Sequence, residues 1–332
     1  MIVGIECTAH TFGIGVVDKG KILVNVKDMF TTEKGGIIPM EAAKHHKDVA
    51  WKLWNEALNV AGIKEDEIEA IALSNAPGLA PCLLAGMHFA KEKAKEIGVK
   101  IIPVNHCIAH LEIGRSVGAK DPVLLYASGA NTQIIAYASG KYRVFGETLD
   151  LGIGNFIDKV ARFFGMGFPG GPKIEIEAKK SGEKDYIELP YSIKGMDVSF
   201  SGMQTKLQQL FDKGEKVEKL SFSLQETAFA MLVEASERAL AHTGKKELVL
   251  GGGVACNSRF QEMCKIMCKE RGAKFFCPEK SLLVDNAGMI AFTGEVMLLG
   301  SKGKDKKEIL LNWDEIDIKP RERTDDVEVS WR

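Results

Sequence analysis

Apolar residues along this chain fall into short runs and helical stripes, and the two patterns alternate from end to end. Ile2–Glu6 is a run of strand length closed by the polar turn Thr8-Ala9-His10-Thr11; residues 13–17, the turn Asp18-Lys19-Gly20 and a third run from Ile22 follow. Runs this short, bounded by turn residues, read as β-strands. Near the middle the order returns. Val123–Ala127 is followed by Ser128-Gly129-Ala130-Asn131-Thr132, then residues 133–137, the turn Ser139-Gly140 and residues 142–147. The two segments share a pattern rather than an identity, which indicates structural duplication.

Helices and further strands follow each opening. Pro39–Ala61 carries Ala43, Val49, Leu53, Ala57 and Val60 near one stripe, and residues 82–97 form a helix after Pro77-Gly78-Leu79-Ala80-Pro81. Residues 68–73 and 100–103 are strands, the second leading into a helix at His106. In the second half, residues 155–164, 172–180, 221–242, 257–270 and 285–299 read as helices, and residues 247–250 as a strand ending in Gly251-Gly252-Gly253. Such alternation defines an α/β protein. Two lobes that each begin with a hairpin meander predict the actin, sugar-kinase and chaperone-ATPase (ribonuclease-H-like) architecture, with a nucleotide in the cleft between duplicated lobes. The expected boundaries are 1–120, 121–300 and a charged tail, 301–332. In the tail, Lys302, Lys304, Lys306 and Lys307 read as a solvated linker, while Trp313 and Trp331 argue that parts of it dock on the body.

Composition narrows the class. A chain of 332 residues with 45% apolar and 27% charged residues has material for two real cores. Its formal charge of −1 argues against unaided nucleic-acid binding, which ordinarily uses a basic excess to displace counterions. Seven scattered cysteines fit a reducing compartment. The N-terminal residues resemble no signal peptide and no apolar stretch suits a bilayer, so a cytoplasmic protein without membrane contact is expected.

The candidate chemistry starts at Asn105-His106-Cys107-Ile108-Ala109-His110. Positions i and i+4 stack on one helix face, so His106 and His110 can grip one divalent metal, and Asp285, before the last long helix, supplies a carboxylate. A zinc protease of the HExxH type is excluded, because Cys107 stands where its general base belongs and Glu112 lies beyond the pair. The loops at 128–132 and 251–257 have the glycines that let backbone N–H groups approach an anion, yet match neither the P-loop nor the dinucleotide fingerprint. Asp158, and Glu175 after the glycine–proline loop 165–172, are acids of the kind that hold ribose hydroxyls. Adjacent His45 and His46 point about 100° apart on a helix, so they cannot both ligate one ion and read as structural residues or as support behind a site. Cys264 and Cys268 read as packing residues.

Taken in order, several stretches resemble the tRNA threonylcarbamoyladenosine transferase family, formerly called the O-sialoglycoprotein endopeptidase family. They are Gly4-Ile5-Glu6 through Thr11, Gly35-Gly36 through His46, Pro77-Gly78-Leu79 through Gly86, and Asn105 through His110. Tyr126 through Gln133, Asn155 through Asp158, Phe168 through Pro172, Asp197-Val198-Ser199-Phe200-Ser201-Gly202, Gly252 through Asn257 and Asp285-Asn286-Ala287 complete the set. Asp325-Asp326-Val327-Glu328-Val329 resembles the archaeal and eukaryotic branch, whose archaeal members belong to the KEOPS complex. The resemblance implies one divalent ion, iron or zinc, on His106, His110 and Asp285, with Tyr126 a candidate fourth ligand. It also implies an adenine nucleotide or threonylcarbamoyl-AMP contacted by Tyr126, Ala127, Ser128, Gly129, Ala130, Asn131, Asp158, Gly171, Glu175 and Asn257. The chain departs from the family at Cys7 and Ala130, which replace glycines, at Met40 for an arginine, at Lys173 for an acid and at Cys256 for an alanine.

The expected activity is therefore transfer of a threonylcarbamoyl group from its adenylate to the adenosine beside a tRNA anticodon. His10 is the candidate general base. The expected partners are tRNA, a small kinase-like subunit and a small dimerising subunit. A small-molecule kinase of the same architecture and a non-catalytic ATP-binding scaffold are the alternatives.

Overall fold

The structure, a computed structural model, describes residues 1–32, 37–301 and 303–332; Gly35, Gly36 and Lys302 lie outside them. In chain order the main elements begin with β1 (Ile2–Glu6), β2 (Thr11–Asp18), β3 (Lys21–Met29), α1 (Pro39–Ala61), β4 (Ala70–Ala76), α2 (Ala80–Ile97), β5 (Lys100–Asn105) and α3 (His106–Glu112). There follow β6 (Val123–Ala127), β7 (Thr132–Ala138), β8 (Lys141–Glu147), α4 (Ile153–Phe163), α5 (Gly170–Ala178), β9 (Ile193–Lys194), β10 (Asp197–Val198), α6 (Ser201–Asp212) and α7 (Val217–Thr243). The chain closes with β11 (Glu247–Gly251), α8 (Ser258–Glu270), β12 (Lys274–Phe276), α9 (Lys280–Leu283), α10 (Ala287–Gly300) and α11 (Lys304–Ile309).

Two compact units result. The first takes Met1–Ser116, Ser139–Tyr142 and Asp285–Arg332; the second takes Val117–Ala138 and Arg143–Val284. This differs from the boundaries expected near 120 and 300. The last long helix and the tail belong with the N-terminal sheet, because α10 packs on β1 and β2 and the tail is stitched on behind it. Ile101 and Leu311 exchange backbone hydrogen bonds of 2.9 Å each way, Ile316 and Trp331 are buried, and Lys95 lies over the ring of Trp313.

The duplication is visible in topology. The first sheet runs β3-β2-β1-β4-β5, with the β1–β2–β3 meander antiparallel and β4 and β5 joining β1 in parallel. The second runs β12-β11-β6-β7-β8: β6 pairs antiparallel with β7, and β11 and β12 join β6 in parallel. Strand for strand, the order is the same.

Strand β1 is buried at every position, because helices cover both faces of its sheet, as a central, partly parallel strand requires. On one face Val3, Ile5, Ile14 and Leu73 pack with Leu53, Trp54 and Ala90. On the other, Gly4 and Gly15 admit α10 at backbone distance: a Cβ on Gly15 would lie 2.6 Å from the carbonyl carbon of Ala287. Helix α1 has Pro39 in its first turn and ends at Gly62 in the left-handed conformation (φ 68°), which glycine adopts without steric cost. Its buried stripe runs through Ala43, His46, Ala50, Leu53, Trp54 and Ala57; Val60, expected on it, is 64% exposed. The second unit has its own core, where Val123, Leu125 and Leu250 meet Phe156, Phe200, Leu224, Phe229 and Phe260.

Candidate active site

Helix α3 begins where β5 ends. The Asn105 side chain accepts from the N–H groups of Cys107 (3.0 Å) and Ile108 (3.3 Å), satisfying donors that a helix start leaves open. That cap fixes the first turn, and with it His106 and His110, whose rings meet edge to face with centroids 4.8 Å apart. Asp285 arrives from the far end of the sequence. Asn286 caps α10 by accepting from the N–H of Met289 (2.9 Å), Lys27 donates to the Asp285 carbonyl (3.1 Å), and Asn25 accepts from the N–H of Gly288 (3.2 Å). The half-buried Asp285 carboxylate then sits 3.2 Å from His106 Nε2 and 3.8 Å from His110 Nε2.

The three donor atoms lie within 4.8 Å of one another. Ligands about 2.1 Å from a shared ion lie about 3.0–3.4 Å apart, so small side-chain adjustments would close the set. Its chemistry, two imidazoles and a carboxylate, suits iron or zinc. Burial pushes the Asp285 carboxyl up, but hydrogen bonds and charge from His106 and His110 outweigh it and hold the group well below the usual range. Burial likewise pushes the His110 imidazole down. A carboxylate is the form a divalent ion takes, and imidazoles give up their protons on binding one.

Two residues in the same unit carry polar support that sequence reasoning did not single out. Glu6, fully buried at the end of β1, is 3.0 Å from His106 Nδ1, and Thr8 donates to Glu6 twice. The only sequence signal was an acid terminating an apolar strand. Glu112 is also fully buried, but it holds Arg115, Trp331 and Arg332 rather than joining the donor set. His10 lies in the turn between β1 and β2, its carbonyl accepting from the N–H of Phe30 (2.8 Å). His45 is 2.9 Å from Asp28, and His46 is buried against Phe12, in keeping with structural roles. Cys264 and Cys268 are core residues.

The expected nucleotide residues all belong to the second unit. The loop after β6 is self-tied: Ser128 Oγ donates to the Asn131 carbonyl (3.0 Å) and accepts from the Asn131 N–H (3.2 Å). It rests on the start of α4, where Gly154 and Asn155 donate to the carbonyls of Ser128 and Gly129. Gly252, at φ 91°, lets the loop after β11 cross the end of β6. Gly129 and Ala130 are exposed, whereas Tyr126 and Ala127 are buried. Asp158 accepts from the N–H of Gly170 (2.7 Å), pinning the start of α5 beside Gly171. Burial pushes the Asp158 carboxyl up despite that bond. Glu175 accepts from Ser258 at its N–H (3.2 Å) and hydroxyl (2.5 Å), while Asn257 caps α8 and donates to Gln225 (2.5 Å). Loops at the carboxyl ends of parallel β6 and β11 are thus locked together, where α/β proteins gather ligands.

Solved structures of this architecture define the class first. The chain superposes on full-length HypF in its phosphate- and nucleotide-bound form with a TM-score of 0.63 at 12% identity, covering 90% of this chain and 56% of that one. On the ethanolamine utilization protein EutJ from Carboxydothermus hydrogenoformans the TM-score is 0.51 at 14% identity, covering 87% and 89%. The family model TsaD, tRNA N6-adenosine threonylcarbamoyltransferase, matches residues 21–292. A protein of that description from Thermococcus kodakarensis is 53% identical over 99% of this chain and 98% of its own length. A probable bifunctional tRNA threonylcarbamoyladenosine biosynthesis protein from Methanosarcina mazei is 48% identical over 99% of this chain and 59% of its own. The chain belongs to the tRNA N6-adenosine threonylcarbamoyltransferase family, on its archaeal branch.

Proposed function

We propose that this enzyme moves the threonylcarbamoyl group of threonylcarbamoyl-AMP onto the exocyclic amine of the adenosine beside the anticodon, in tRNAs that read codons starting with A. The observation that carries this reading is full-length agreement, 53% identity over 99% of the chain, with a relative of that name. The amine nitrogen attacks the carbamoyl carbon, the bond from that carbon to the phosphate oxygen breaks, AMP leaves, and the amine gives up one proton. His106, His110 and Asp285 hold one ion, iron or zinc, which when bound would supply Lewis acidity to the carbamoyl carbonyl. Tyr126 through Asn131, Asp158, Gly171, Glu175 and Asn257 bind the adenylate, the exposed Gly129 and Ala130 offering backbone approach to its phosphate. His10 takes the proton.

An exocyclic amine is a weak nucleophile, so holding it in line should supply much of the rate. With a formal charge of −1 the chain has little basic surplus for tRNA. We therefore assign it to a cytoplasmic KEOPS-type assembly, in which a small kinase-like subunit and a small dimerising subunit add basic surface. No helix among the described residues is long and apolar enough to cross a membrane.

The test incubates the purified chain with tRNA, threonine, bicarbonate, ATP and an adenylate-forming enzyme, with and without those subunits. Threonylcarbamoyladenosine should form only in the full mixture. Turnover without the subunits would remove the partner requirement and leave the chemistry; no product in any mixture would overturn the activity. Elemental analysis of His110→Ala beside the parent should show loss of the ion, and equal occupancy would refute the ligand set.

A further inference from the structure

We propose that Glu6 is a positioning residue for His106, one that holds its imidazole at Nδ1 and aims Nε2 at the ion. A carboxylate with no solvent exposure is costly unless its acceptor sites are filled. Those of Glu6 are filled in a divided way. Oε1 accepts from Thr8 twice, from the backbone N–H at 2.8 Å and the hydroxyl at 2.5 Å, so Thr8 fixes the plane and rotation of the carboxylate. Oε2 is 3.0 Å from His106 Nδ1, and the Thr8 hydroxyl lies 3.4 Å from the same nitrogen. With an ion on Nε2 the imidazole keeps one proton, on Nδ1, and the Glu6 carboxylate is placed to accept it. Nε2 is the atom 3.2 Å from Asp285 Oδ1, on the side where the donor set converges.

Thr8 therefore supports His106 both through Glu6 and with its own hydroxyl. A buried acid behind a ligating histidine raises its basicity and holds its ring still, and loss of such a partner typically weakens metal affinity about 10–100-fold. Strand β1 delivers Glu6 without adjustable geometry, since Ile2 through Ile5 are in register with β4. Glu112, another buried acid of this unit, is engaged by Trp331 and Arg332.

The inference rests on the proposed metal set, and two measurements separate the two. The first uses the metal-free full chain: the nitrogen-15 shift of His106 Nδ1 should move in Glu6→Gln, while that of Nε2, which faces Asp285, should move little. The second is zinc titration by calorimetry, where Glu6→Gln should bind about 10–100-fold more weakly than the parent. Glu6→Asp, which keeps the charge and withdraws the carboxylate from Nδ1, should also weaken binding and decides the matter if Glu6→Gln does not fold. An unchanged Nδ1 shift, or zinc affinity equal to the parent in both variants, overturns the role of Glu6. If the parent itself binds no zinc while the Nδ1 shift responds to Glu6→Gln, the metal reading fails and the hold of Glu6 on His106 stands.

Discussion

At the scale of single residues, the first unit has a built-in sensitivity to acid. His46 has no exposure and sits against the ring of Phe12. Burial, reinforced by neighbouring His45, pushes its imidazole down to about 4. An unfolded histidine titrates near 6.5, so the folded state binds fewer protons than the unfolded one between those values. His46 then contributes stability that is fully present above about pH 6.5 and is lost as pH falls toward 4, by up to about 3 kcal/mol. Urea unfolding at a series of pH values should show this decline, and His46→Gln should flatten that part of it. A parent curve identical in slope to that of His46→Gln would show that the residue protonates without cost. Residues of this kind were legible only in half. His106 and His110 stand out because one helix turn joins them, whereas the Glu6 carboxylate that holds His106 is separated from it by 100 positions.

At the scale of elements, helix α10 is the part on which the donor set depends most. It carries Asp285 at its threshold and lies against Gly4 and Gly15 with no room for a side chain. Gly15→Ala would place a methyl 2.6 Å from backbone atoms of Ala287 and Gly288, so the start of α10 must move. Overpacking of that sort should cost about 1–3 kcal/mol in stability, and the displaced Asp285 should lose zinc at concentrations the parent tolerates. Retained zinc affinity with unchanged melting would mean that the helix start absorbs the methyl elsewhere. Elements with local signals were readable: Pro39–Ala61 has a proline start and a glycine stop and was predicted at its observed bounds. Helix α6 was not, because its first N–H groups are satisfied by Asp150, which accepts from Phe200 and Ser201 about 50 positions away, and no local cap announces it. Strand β12 is three residues long and exists through pairing with β11, a partner that hydrophobic spacing does not reveal.

At the scale of the whole molecule, the repeated strand order was legible from two similar openings, but the assignment of residues 285–332 was not, since a boundary in sequence says nothing about which sheet a returning helix will cover. That return has a consequence in time. Residues leave the ribosome from the N-terminus onward, so β1, β2 and β4 are made long before α10, while nearly all of the second unit is one uninterrupted stretch that can close as it emerges. Until then one face of the first sheet waits uncovered. Against α10 that face brings Gly4, Gly13, Gly15 and Ala72, which offer little apolar side chain, together with Ile2 and Ile22, which offer more to stray partners during the delay. A nascent chain halted at Val284 should therefore resist protease across residues 143–284 and be cut readily before Ser116, with protection of the early segment appearing only after Arg332 has emerged. Equal protection of both at the halt would mean that the first sheet closes without its last helix.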